Sequence, residues 1–174
     1  MDGFLGGDFI RRFVITLDYA KGVMTVADPS GFEYRGRGIV LPVTFRDTKP
    51  FVPATITVGG VSETAEFFVD SGSSDAVDHP AILKSKGPVR HIRMGNGLGD
   101  GSEGGVLGHA DVFALGGFRM PGALTACCAP VEWQRSMFGT EILRRFTVIF
   151  DYARSRIILE PNEHLGDPFP DNGA

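Results

Sequence analysis

Apolar and polar residues alternate with a period of two over much of this chain, the pattern of strands with one buried face. Ile39, Leu41, Val43 and Phe45 alternate with polar or small residues, and Val52, Ala54, Ile56 and Val58 do the same. Gly59-Gly60 then turns the chain into an apolar-rich stretch over residues 61–69, which predicts a strand and a hairpin. Phe113 and Leu115, followed by Phe118 and Met120, flank Gly116-Gly117 as another hairpin, and residues 122–129 supply a further strand of small and apolar residues. Helical periodicity is confined to short pieces, one of them at residues 80–86.

The stretch at residues 4–26, FLGGDFIRRFVITLDYAKGVMTV, returns at a constant offset over residues 137–159 as MFGTEILRRFTVIFDYARSRIIL. Each copy predicts a one- to two-turn helix (residues 8–12 and 141–145) feeding a hairpin that turns at Asp-Tyr-Ala. The acids Asp8 and Glu141 stand where a helix N-terminus favours negative charge. Between the copies, DPSGFEYRGR at residues 28–37 is rich in Gly, Pro and charge and predicts a linker or exposed loop. Residues 91–107 are dense in glycine, so a mobile segment is expected there, and the tail after Pro161 is expected to be irregular.

Composition narrows the class. Twenty-four glycines, eleven prolines and fourteen phenylalanines in 174 residues favour short strands and tight turns over long helices. A formal charge of −4, with basic and acidic residues interspersed, leaves no basic stripe for nucleic acid. No apolar run reaches the length of a membrane span, and no positively charged N-terminal segment precedes an apolar one. Cys127 and Cys128 are adjacent, and neighbours in a strand point to opposite faces, so two separate thiols are expected. The four histidines show no metal-ligand spacing, and neither metal nor cofactor is called for.

The chemistry-bearing segment is Phe67-Phe68-Val69 running into Asp70-Ser71-Gly72-Ser73-Ser74, an apolar strand that delivers a carboxylate into a turn of small residues. Asp-Ser-Gly alone is ordinary turn composition. Its position at the end of an apolar strand, some sixty-five residues before Met137-Phe138-Gly139, makes it distinctive. GDGSEG at residues 99–104 fits a dinucleotide-binding spacing but lacks the flanking strand and helix patterns, and Gly72-Ser73-Ser74-Asp75-Ala76 lacks the second glycine of a nucleophile elbow.

Together, DSGSS and the closing segments GDFIRRFVITLDYAKGVMTVADP and TEILRRFTVIFDYARSRIILEP resemble bacterial retropepsin-like aspartyl proteases, in which D-[ST]-G-[AS]-[ST] opens a lobe and LGxDFLRRFxVxxDYxxxxLxLxP closes it. The resemblance implies a mainly β, pepsin- or retropepsin-like lobe, a folded barrel-like sheet with one or two short helices. It divides the chain into a closing segment of a preceding lobe (1–29), a linker (30–37), a complete lobe (38–162) and an irregular tail (163–174). It further implies an aspartic peptidase acting on peptide or protein substrates, with Asp70 as the catalytic carboxylate. Ser71, Gly72 and Ser73 would complete the active-site loop, with Ser71 bonding across to the opposing loop. Gly95, Asn96, Gly97, Leu98 and Gly99 would form the flap.

Such chemistry needs two carboxylates, and this chain has one Asp-Ser-Gly loop. The second is therefore expected from another lobe or a second subunit. The alternative is a non-catalytic module of the same fold used for dimerisation or peptide binding.

Overall fold

A computed structural model describes residues 6–96, 99–127 and 136–169. The fold is mainly β with a few short helices, as the alternating pattern predicts. The first repeat forms α1 (Gly7–Ile10), β1 (Val14–Asp18) and β2 (Val23–Ala27); the second forms α2 (Thr140–Leu143), β14 (Phe146–Asp151) and β15 (Arg156–Pro161). Both hairpins turn through a left-handed residue, Gly22 in the first and Ser155 in the second, so the copies share a backbone path although only one kept glycine.

Between them lie β3 (Ile39–Pro42), β4 (Thr44–Arg46), β5 (Lys49–Val58), β6 (Val61–Val69), β7 (Val77–Asp78), β8 (Val89–Asn96), β9 (Gly99–His109), β10 (Val112–Leu115), β11 (Phe118–Pro121), β12 (Leu124–Cys127) and β13 (Met137–Phe138). A single 3₁₀ turn, Pro80–Lys84, replaces the helix expected at residues 80–86. The β5–β6 turn uses positive φ at both Gly59 and Gly60, the combination whose twist matches the flanking strands.

Two sheets result. The larger follows the order β11-β10-β5-β6-β13-β7-β12-β9-β8, with β4 on β5; the smaller follows β2-β1-β14-β15-β3. Phe67, Phe113, Phe138, Ile56 and Leu115 from the larger sheet pack with Phe150, Ile157, Leu159 and Leu41 from the smaller in one core. On the far face of the smaller sheet, Val14, Ile149 and Ile158 are covered by Phe32 and Tyr34. The segment at residues 28–37 is thus fastened rather than free. Arg154 donates to the carbonyls of Pro29 and Phe32, while Tyr34 donates to Glu160 and accepts from the Gly38 amide.

The smaller sheet joins the two repeats. In the antiparallel β1–β14 pair, Ile15 faces Phe150, Thr16 faces Ile149 and Leu17 faces Val148. The repeats are offset by 133 residues (137 − 4), so Thr16 pairs with its own counterpart, Ile149. Residues either side pair with each other's counterparts. A local two-fold axis therefore passes through Thr16 and Ile149.

Within the glycine-dense run at residues 91–107, the residues up to Asn96 lie in β8 and those from Gly99 in β9, and the two strands pair antiparallel with an irregularity between Gly95 and Asn96; cross-strand backbone bonds do not require side chains. One expectation is corrected. Cys127 is buried and disulfide-bonded, not a free thiol. Face alternation separates neighbours only within a strand, and β12 ends at Cys127; Cys128 lies outside the described residues.

Candidate active site

Asp70 is the first residue beyond β6. Its amide donates to the Phe138 carbonyl at 3.0 Å, which continues the parallel β6–β13 pairing by one residue and anchors the carboxylate's backbone. Oδ1 of Asp70 accepts from the Gly72 amide at 2.9 Å, and the Ser73 amide reaches back to the Asp70 carbonyl at 3.3 Å. The loop thus curls around its own carboxylate, which stays half-exposed, with Ser71 and Gly72 exposed beside it.

The loop rests on a second element that the sequence marked only as apolar-apolar-glycine. The Thr140 amide and hydroxyl both donate to the Ser73 carbonyl, at 2.8 and 2.6 Å, and the Gly139 amide donates to the Ala76 carbonyl at 3.1 Å. A Cβ on Gly139 would lie 2.6 Å from the Asp75 carbonyl oxygen and 2.7 Å from that of Ser73. With φ at −117°, Gly139 has no conformational need to be glycine; the requirement is close approach of two backbones. Ser73 donates to the Asp75 carboxylate and accepts from the Asp75 amide, which closes the turn.

Asp78, which sequence reasoning passed over, is a further carboxylate next to this framework and, unlike Asp70 and Asp75, is buried. It lies on β7 between β13 and β12, opposite Met137 and Ala126, and is 3% exposed. Among the described residues its Oδ1 has no hydrogen-bond partner. Burial, and secondarily the charge of Asp75, push its pKa up to about 7. No signal in a single sequence separates this aspartate from a surface one, because its neighbours Val77 and His79 fit an exposed strand end as well as a buried one.

Of the candidate flap residues, Gly95 and Asn96 end β8 and Gly99 begins β9, while Gly97 and Leu98 lie outside the described residues. The hairpin is joined to the Asp70 loop through the sheet: β9 pairs with β12, β12 with β7, and β7 follows the loop. His79, buried and stacked on Phe67, accepts from the Ala81 amide and serves the start of the 3₁₀ turn. Among the described residues no group of acidic, histidine or cysteine side chains is arranged to hold a metal ion, and no helix is long and apolar enough to cross a membrane.

No family model and no curated protein matches the sequence. Among solved structures, the chain is similar to a retropepsin-like aspartic protease from Rickettsia conorii, with a TM-score of 0.46 and 18% identity over 73% of this chain and 96% of that one.

Proposed function

We propose that this chain carries one half of an aspartic peptidase centre, with Asp70 as its carboxylate and a second lobe or subunit supplying the other. The observation that carries the reading is the Asp70 loop. A carboxylate at the end of a core strand, bonded by the Gly72 amide, on a loop whose following residues Ser73 to Ala76 rest on Gly139 and Thr140, is a polar group fastened from below yet left open to solvent. A turn that served only to reverse the chain has no need of such support.

In the assembled centre two carboxylates share one proton, since like charges in close contact resist joint ionisation. The charged one takes a proton from a water held between them as the water oxygen attacks the peptide carbonyl carbon. The protonated one donates to the carbonyl oxygen, giving a tetrahedral diol. Collapse of the diol returns a proton to the departing nitrogen and breaks the C–N bond. Ser71 and Gly72, exposed at the loop tip, are the groups in position to meet an opposing loop; the β8–β9 hairpin is the candidate flap.

The test is Asp70→Asn in a preparation that cleaves peptides. The change is nearly isosteric and removes the titrating group, so cleavage should fall by at least about 10²- to 10⁴-fold with the fold intact. A statine-type inhibitor should block the wild type, and chelators should not. Undiminished cleavage by the variant would sink the assignment.

A further inference from the structure

The helix beneath the Asp70 loop is too short to stand by itself. α2 has four residues, and isolated helices of that length do not form, so its place is set by what binds its two ends. The N-terminal end is bound to the loop. The amides of Gly139, Thr140 and Glu141, which the helix leaves without partners, donate to the carbonyls of Ala76, Ser73 and Asp75. Ile142 and Leu143 are buried in the core between the ends. The C-terminal end is bound by the segment at residues 162–169, where Asn162 donates to the Arg144 carbonyl from its side chain at 2.9 Å and to the Arg145 carbonyl from its amide at 3.1 Å.

Arg145, 1% exposed, fastens that segment. Its Nε donates to the Glu141 carbonyl at 3.0 Å, while Nη1 reaches the carbonyls of Asp167, Leu165 and His164 at 2.6, 3.2 and 3.3 Å. The guanidinium lies 3.8 Å from the centre of the Phe169 ring, and Nη2 has no hydrogen-bond partner among the described residues. A buried guanidinium with an unmet donor is costlier than an apolar side chain of its volume. What it supplies instead is direction, a planar fork that ties one carbonyl of the helix to three of the strap.

The first repeat shows the same sequence without the clamp. Arg12, the counterpart of Arg145, is exposed, α1 buries no residue, and Pro29 and Phe32, the counterparts of Asn162 and Leu165, are held by Arg154 instead. No loop among the described residues rests on Gly6, the counterpart of Gly139, where a Cβ would meet nothing within 4 Å. The clamp is built in the copy that seats a carboxylate loop.

We propose that Arg145 is a positioning residue of the Asp70 centre: by strapping residues 162–169 across the C-terminal end of α2, it holds Gly139 and Thr140 against the Asp70 loop and fixes where the carboxylate points. This rests on the reading of Asp70 as half of a peptidase centre and adds the device that aims it.

Hydrogen exchange on the full chain tests this, together with cleavage in the same preparation as Asp70→Asn. Arg145→Lys keeps the charge and loses the fork. Asn162→Ala, which removes one bond at the edge of the strap, serves where the first variant does not fold. In either, the amides of Asp70, Ser73 and Thr140 should exchange about tenfold faster or more through local opening. Ile56→Val, which weakens the core away from the strap, should leave those three amides at wild-type rates, and so should Arg12→Lys. In the strap variants kcat should fall about tenfold or more with KM unchanged, since a misaimed carboxylate slows the chemical step and leaves substrate binding alone. Wild-type exchange at the three amides in a folded strap variant would overturn the proposal, as would faster exchange with kcat unaltered. Failure of the Asp70 reading shows separately, as cleavage that Asp70→Asn leaves intact, and the exchange rates are read without any cleavage.

Discussion

Asp78 couples the neighbourhood of the site to pH. Its folded pKa of about 7 lies above the ordinary 3.8, so between those values the folded state holds a proton that the unfolded chain has released. The stability this provides is complete below about pH 3.8, falls as pH rises and is gone above about pH 7, a change of about 4 kcal/mol. Denaturant unfolding of the wild type from pH 4 to 8 should show that decline, and Asp78→Asn should flatten it. Gly139 gives a steric counterpart. Adding one methyl there drives it into two carbonyl oxygens of the Asp70 loop, and Gly139→Ala should cost about 1–3 kcal/mol. Gly6→Ala, at the equivalent position where a Cβ meets nothing within 4 Å among the described residues, should stay within about 0.5 kcal/mol of wild type. Paired denaturation curves check both.

The two copies of the repeat form a controlled comparison of one element in two surroundings. Their backbones agree down to the left-handed turn residue, so local sequence is sufficient for the helix and hairpin. Burial differs at the outer strand: Ile157 and Leu159 of β15 lie in the core and Met24 and Val26 of β2 are exposed, whereas Ile15 of β1 and its counterpart Val148 are buried in the same core. A lysine at Ile157 or Leu159 would place an unpaired charge in the core and should leave the chain unfolded. A lysine at Met24 or Val26 should change stability by no more than about 0.5 kcal/mol, read as melting temperature. Arg145 shows the same divergence. It is buried, donates to the carbonyls of Glu141, His164, Leu165 and Asp167 and lies over Phe169, so it orders a tail expected to be irregular. Its counterpart Arg12 is exposed. An arginine clamp on a tail without secondary structure leaves no periodicity to read.

At the scale of the molecule, what was legible in the sequence is what depends on neighbours along the chain. The alternation at Val52, Ala54, Ile56 and Val58 marked a strand, and all four are buried. The Gly59-Gly60 and Gly116-Gly117 turns stood out because positive φ selects glycine. The repeat itself was plain. Contacts between distant segments left no such trace: the pairing of the repeats about Thr16 and Ile149, the docking of Gly139 beneath the Asp70 loop, and the burial of Asp78 between β13 and β12. The candidate site was legible at Asp70 because strand and loop are contiguous there, and illegible at its support, which lies some seventy residues later.

The central claim is that Asp70 is half of a two-carboxylate centre that one copy of this chain cannot complete. A peptide-cleavage assay on the chain, run at concentrations where sedimentation finds only monomer, tests it most directly. The account predicts turnover no greater than that of the Asp70→Asn variant in the same assay, with turnover gained only when a second carboxylate loop is supplied. Full cleavage by a strictly monomeric chain would contradict it.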